Sequence, residues 1–310
     1  MLPTIQAALC PKLDYFPCSL AQIVESFSIV LPLLNRLFTP SLYLAIVLNI
    51  TFLINIVCAD YLNAKWVALM ALTQWTEQQL NEACVSLETA TPQDILRYAV
   101  KNFYPKLTMA TAFGAEGCCI LHMLAEIEPG VKVFNLETGY QFKETLDLRE
   151  KIKQRYNIEV EYVRPELTIE EYEKEHGGPL YRHRPDQCCF DRKVLPLRRA
   201  VVGYDAWISA IRADQTSQRG GAGVVQWDAK FNLVKINPLL RWNKKDVWDF
   251  IVKNDVPYNP LHDQGYPSIG CWPCTQQVKE GEDERSGRWA GSAKKECGLH
   301  VIEHQEGSGI

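Results

Sequence analysis

The chain has 310 residues, of which 47% are hydrophobic and 23% charged, a globular composition with length enough for one large α/β domain and appendages. Its formal net charge of −4 supplies no global basic field, so long nucleic acids are poor candidate partners and any anion recognition has to be local. Eleven cysteines without an evident secretory signal, several of them in pairs, point to a reducing, cytoplasmic setting in which paired cysteines bind metal or do redox chemistry.

From Leu37 to Ala59 no residue is charged, and as a helix this run would reach roughly 34 Å against a hydrocarbon core of roughly 30 Å. Pro40, Asn49 and Asn55 interrupt it, and the flanking Arg36, Asp60 and Lys65 set no clear orientation. The preferred reading is that the functional polypeptide starts at Met70, with an anchor or a signal-like segment as the alternatives. A membrane enters only if the leading segment is retained.

Thr76 to Ala83 and Thr91 to Asn102 read as helices, the second with Thr91 as N-cap and Pro92 in its first turn. Lys106 to Ala112 reads as a strand, Phe113 to Gly117 as a tight loop and Cys118 to Ile127 as a helix. Strands are expected again at Val131 to Leu136 and Glu159 to Val163, on either side of a helix from Phe142 to Tyr156. Alternating β and α imply a parallel sheet. Ala206 to Ile211 adds a strand, Val224 to Trp227 and Leu233 to Ile236 form a hairpin, and Asn243 caps a helix that runs to about Lys253.

Ligands of open α/β sheets sit beyond the carboxyl ends of the strands, which draws attention to the loops Thr111 to Gly117 and Glu137 to Tyr140. Gly114 and Gly117 would let the backbone approach a phosphate, although the loop is neither a Walker A nor a GxGxxG motif and a plain tight turn is an equal reading. Arg219 to Gly223 reads as a loop before the hairpin. The sharper signal is four cysteines in two segments, Cys188-Cys189 and Cys271-Trp-Pro-Cys274, which suit one metal centre. Adjacent ligands span an iron–sulfur cluster more comfortably than a zinc tetrahedron, with buried apolar cysteines as the bland alternative.

Cys297 stands apart, in Lys294-Lys295-Glu296-Cys297-Gly298-Leu299-His300 behind a polar stretch, Glu280 to Ala293, expected to be exposed and mobile. It reads either as a surface thiol or as a nucleophile whose thiolate is favoured by nearby cations. Arg182, His183, Arg184, Arg192, Lys193, Arg212, Arg285 and Arg288 are the local cations available for an anionic substrate.

Over about residues 90 to 300 these segments resemble the adenylylsulfate (APS) and phosphoadenylylsulfate (PAPS) reductases. The resemblance rests on Thr-Ala-Phe-Gly-Ala-Glu-Gly (111–117), Leu-Glu-Thr-Gly-Tyr (136–140), Cys188-Cys189 with Arg192-Lys193, Ile211-Arg212-Ala-Asp-Gln215, Ile269-Gly-Cys271-Trp-Pro-Cys274, Glu284-Arg285-Ser-Gly-Arg288-Trp289 and Glu296-Cys-Gly-Leu-His300. It implies an adenine-nucleotide α-hydrolase-like (PP-loop) parallel α/β domain. It also implies a [4Fe–4S] cluster on Cys188, Cys189, Cys271 and Cys274, and Cys297 as the nucleophile. Substrate contacts are then expected from Thr111, Gly114, Glu116, Glu137, Thr138, Gly139, Lys193, Arg212, Gln215, Arg285, Arg288 and His300.

The implied reaction forms an S-sulfocysteine on Cys297, from which thioredoxin or glutaredoxin releases sulfite in assimilatory sulfate reduction. Cluster-containing members favour APS, but Phe113 stands where many of them carry serine, which keeps PAPS as the alternative. An ATP-dependent sulfur-transfer ligase of the same fold and a non-catalytic zinc module are the more distant readings. The expected organisation is a hydrophobic extension over 1–69, a reductase domain over 70–280 and a mobile tail over 281–310 that carries the nucleophile, in a protein that could self-associate.

Overall fold

The computed structural model describes residues 75–300 apart from Ala293. The uncharged run, the Met70 start and the far end of the tail lie outside the described residues. Among the described residues no helix is long and apolar enough to cross a membrane.

Local sequence explains most of the elements. Helix α1 (Glu77–Leu87) opens on a capping box between Thr76 and Gln79, and α2 (Pro92–Phe103) has Thr91 accepting from the Asp94 amide with proline in its first turn. Strand β1 (Leu107–Thr111) leads into α3 (Ala115–Ile127), which begins earlier than the expected Cys118 because Gly114 serves as its N-cap. Gly117 therefore lies inside the helix and not in an anion loop. A Cβ there would meet Thr111 Oγ1 at 2.8 Å, so this glycine lets α3 lean against β1. The left-handed residue of the turn is Phe113, at φ 54°.

Strand β2 (Lys132–Leu136), α4 (Lys143–Tyr156) and β3 (Val160–Val163) follow as expected, with Asn157 closing α4 in a left-handed conformation. Between β3 and the next strand lies a helical run that the periodicity did not announce. It comprises α5 (Ile169–His176), α6 (Leu180–His183), α7 (Pro185–Cys189), a π-helical turn (Phe190–Val194) and α8 (Leu195–Ala200). Strand β4 is limited to Ala206–Ile208, then come α9 (Ser217–Gly220), the hairpin β5 (Val225–Asp228) and β6 (Leu233–Ile236), and α10 (Lys244–Asn254).

The six strands lie in the order β3-β2-β1-β4-β6-β5, parallel except for the edge strand β5. The chain runs outward from β1 through β2 to β3 and then returns to β4 on the other side of β1. That reversal leaves a crevice at the carboxyl ends of β1 and β4, where open α/β sheets bind ligands. Beneath it the core is apolar, with Leu107, Met109, Ile120, Leu121, Ile152, Ile208 and Ile236 all buried. Polar groups are buried in the sheet as well, Thr108, Asn135 and Lys235 among them, the lysine 3% exposed on β6.

Candidate active site

The pocket at the crevice is walled by the ends of β1 (Ala110, Thr111), β2 (Asn135, Leu136) and β4 with its following loop (Trp207, Ser209, Ala210, Ile211). Thr111 Oγ1 accepts from the Phe113 amide at 3.0 Å, which shapes the turn into α3. Polar atoms here lack protein partners in both senses: Asn135 Oδ1, Gln141 Oε1, both His262 nitrogens and the Nε atoms of Arg285 and Arg288. Buried acceptors and donors are seldom left unpaired, so a wall carrying both fits a polar ligand.

The chain's last described segment closes this pocket. Glu284, Arg285, Arg288, Cys297, Leu299 and His300 all face it. Stretches of the tail are exposed, as expected, but the segment as a whole packs against the domain. Trp289 and Glu296 are buried, and Thr275 pairs with Arg288 in an isolated bridge. The anchor next to the candidate nucleophile is an ion pair: Arg219 donates from Nε and Nη2 to Glu296 at 2.7 Å and 2.9 Å. Thr216 and Arg285 add donors at 3.2 Å and 3.4 Å. Lys230 holds the carbonyl of Gly298 at 2.8 Å.

These contacts tune the thiol. Burial opposes ionisation of Cys297, but Lys193, the Leu299 amide and Arg219 outweigh it and hold the thiol below its ordinary value. His300 is driven well below the usual imidazole range by burial and then by Lys235, Arg219, Arg285 and Lys230, so it is neutral.

Beside this pocket lies a smaller one lined by Cys188, Cys189, Cys271 and Cys274 with Tyr140, Tyr181 and Trp289. Thr138, Lys193 and Cys271 face both spaces, so a single layer of side chains separates them. Helix α7 presents the adjacent cysteines, and the wider π turn that follows it carries Lys193. All four thiols are free, and Thr138 Oγ1 lies 3.3 Å from Cys271 Sγ. Burial first, then the neighbouring sulfurs, pushes Cys188 up to about 12 and Cys274 up to about 11. Ionising such a set calls for a strong local cation, which a metal centre supplies. Among the described residues no group of three or more potential ligands is placed to hold a metal ion, but the four thiols line one common space. Four cysteines, two of them adjacent, are a donor set that an iron–sulfur cluster could use.

Of the residues singled out in the sequence, Thr111, Gly114, Glu116, Thr138, Lys193, Gln215, Arg285, Arg288, Cys297 and His300 face the larger pocket. Glu137, Gly139 and Arg212 do not. Glu137 accepts from the Gly139 amide and pairs with Arg164. Gly139, at φ 81°, permits a turn where a Cβ would strike Ile169 at 2.8 Å. Arg212 is 3% exposed and engaged by three carboxylates, Glu116, Asp214 and Glu284. Arg192 is also inward, donating to the carbonyls of Thr138 and Leu167, while Arg182, His183 and Arg184 are exposed on the outer face. Arg219 was missed: read as part of a glycine-rich loop, it is buried in α9 as the partner of Glu296. Lys235 was missed because Leu233 to Ile236 was read only as one strand of a hairpin.

Comparison with known proteins agrees with this architecture. Residues 106–277 match the family described as the phosphoadenosine phosphosulfate reductase domain. A phosphoadenosine 5'-phosphosulfate reductase of Gloeobacter violaceus is 48% identical over 217 residues, covering 69% of this chain and 90% of the relative. An adenosine 5'-phosphosulfate reductase of Bacillus pumilus is 44% identical over 207 residues, covering 66% of this chain and 89% of the relative. Among solved structures, a phosphoadenylyl-sulfate reductase from Candida auris in a phosphate complex aligns with a TM-score of 0.58 at 33% identity, covering 66% of this chain and 98% of that one. Matched by that family across more than half its length, and by these relatives across most of theirs, the chain belongs to the phosphoadenosine phosphosulfate reductase domain family.

Proposed function

We propose that the protein reduces adenylylsulfate to sulfite and AMP in the cytoplasm, with thioredoxin or a similar dithiol protein as the reductant. The reading is carried by one arrangement: the thiol of Cys297, favoured as thiolate, shares a polar pocket with Lys193, Arg285 and Arg288. The names of the relatives support it, several being adenosine 5'-phosphosulfate reductases.

In this reaction the Cys297 thiolate attacks the sulfate sulfur. The bond from sulfur to the bridging oxygen breaks, and AMP leaves with the electron pair on its phosphate. Lys193, Arg285 and Arg288 offset the charge that gathers on the leaving phosphate and the sulfonate. A thiolate of the reductant then attacks Cys297 Sγ, sulfite departs with the electrons, and the reductant's second thiol completes its disulfide. The segment that carries Cys297 has to be docked for the first step and accessible for the second.

Cys188, Cys189, Cys271 and Cys274 would hold a [4Fe–4S] cluster, which would supply charge next to Lys193, a residue that lines both spaces. The reductase domain is then residues 70–280. The deciding assay is thioredoxin-dependent sulfite release from adenylylsulfate and from its 3'-phosphorylated form, with Cys297→Ser as control. Sulfite formation that survives Cys297→Ser sinks the mechanism, and faster turnover of the 3'-phosphorylated nucleotide reverses the substrate preference. Iron and visible absorbance in anaerobically purified protein, both lost in Cys271→Ser, test the cluster.

A further inference from the structure

Lys235 sits in the interior of the sheet, on a strand between β4 and the edge strand β5. An ammonium buried there is costly unless it holds something. Its Nζ lies 3.3 Å from His300 Nδ1 and 5.1 Å from the centre of the Trp207 ring. His300 lies against the same indole, the two ring planes 7° apart. The charged and titratable groups facing this cluster are Asp228 from β5, Lys230 from the β5–β6 turn, Arg219 from α9, and Arg285 and Cys297 from the tail.

The hydrogen-bond chemistry leaves little choice. An ammonium has protons to give and no lone pair. Contact at Nδ1 therefore requires that nitrogen to be bare, and in a neutral imidazole the ring proton then sits on Nε2. Burial drags Lys235 down to about 8, with Asp228 opposing the fall, so the donor remains charged at neutral pH. Trp207 and His300 face the pocket, whereas Lys235 lies behind them.

We propose that Lys235 is a positioning residue: it fixes His300 as the Nε2–H tautomer, leaves that N–H to donate to an oxyanion in the pocket, and moors the segment that carries Cys297. The identity of the oxyanion, a phosphate or sulfonate oxygen of a nucleotide sulfate, rests on the function proposed above. The tautomer and the mooring do not.

The test uses the full chain, with nitrogen-15 in its histidines and His300→Gln to assign the resonance. At pH 7 the wild type should show His300 with Nε2 protonated and Nδ1 bare and hydrogen-bonded. In Lys235→Met, Nδ1 should move toward the position of a free imidazole nitrogen or the two tautomers should mix, and Lys235→Arg should bring it back. Alkylation of Cys297 in Lys235→Met should quicken about tenfold relative to Cys84, the equivalent of one net hydrogen bond. A protonated Nδ1 in the wild type, or a His300 spectrum unmoved by Lys235→Met, overturns the proposal. The wild-type reading decides even if the methionine variant fails to fold. A His300 signal that answers to Lys235 but not to added adenylylsulfate upholds the positioning role and counts against the substrate.

Discussion

Replacing Glu296 with glutamine keeps the shape of the side chain and removes its charge. The carboxylate is 2% exposed and accepts from Arg219, Thr216 and Arg285. Removing one side of a buried ion pair costs about 3–5 kcal/mol, largely because the other charge stays buried. Here two guanidiniums would remain, and burial together with Arg219 already pulls Arg285 down to about 10. The easiest relief is for the tail to undock, since that returns both guanidiniums to water and leaves the sheet intact. At about 3 kcal/mol, the open fraction of the tail rises on the order of a hundredfold.

The assay is the rate of Cys297 alkylation, followed by peptide mass spectrometry with Cys84 as internal reference. One part of any increase is chemical and not conformational. Glu296 disfavours the Cys297 thiolate, so its neutralisation enlarges the reactive fraction. Comparing plateau rates above the pH at which the thiol has ionised removes that part. A plateau within about threefold of wild type, with Tm unchanged, would refute the argument, because about 3 kcal/mol has to appear in tail opening or in global stability.

Two further substitutions probe the same site. Burial takes Lys235 from its ordinary 10.5 to about 8, so below pH 8 the charged form costs the fold about 3 kcal/mol, a cost relieved as pH rises toward 10.5. Lys235→Met should therefore raise the unfolding free energy at pH 7 by about 2 kcal/mol after loss of one hydrogen bond, and urea titrations should show that gain fading by pH 10.5. A pH-independent difference would contradict it. At Gly270 a Cβ would run into the Arg288 guanidinium, the far end of a flexible side chain. Gly270→Ala should leave Tm within a few degrees while displacing Arg288 from the pocket, and a KM for the nucleotide that does not rise would show that Arg288 is dispensable there.

What the sequence made legible follows the range of the interactions. Thr91 and Pro92, or Asn243 and Asp246, act within a turn of the helix they start, so those ends could be read directly. The hairpin was equally local. The run from Leu180 to Ala200 was not, because its helices are short, rich in charge, and set by the burial of Cys188, Cys189 and Arg192 under distant loops. The cysteines themselves were visible because residue type and spacing already carry chemistry. The tail's anchors were invisible for the opposite reason: Arg219 meets Glu296 across 77 residues and Lys235 meets His300 across 65. Resemblance could place Arg212 near a substrate, but only the packing shows which groups it is bound to.

That placement of Arg212 has a physical consequence. Glu116 and Glu284 both face a pocket suited to an anion, where free carboxylates would repel it. Arg212 binds both, from Nη1 and Nη2, and Asp214 holds its Nε at 2.9 Å. The arginine thus serves an anionic ligand by cancelling acidic groups on the lining, without facing the pocket itself. Two unmasked charges within about 10 Å of a ligand phosphate would cost on the order of 1–2 kcal/mol each at an effective dielectric near 20. Arg212→Gln should then weaken adenylylsulfate binding at least tenfold, with the loss shrinking as salt is added. Adding Glu284→Gln should recover part of it, because one repelling charge is removed while the missing arginine stays missing. Equal loss with and without Glu284→Gln would mean that Arg212 acts through direct contact with the ligand, and the masking argument would fail.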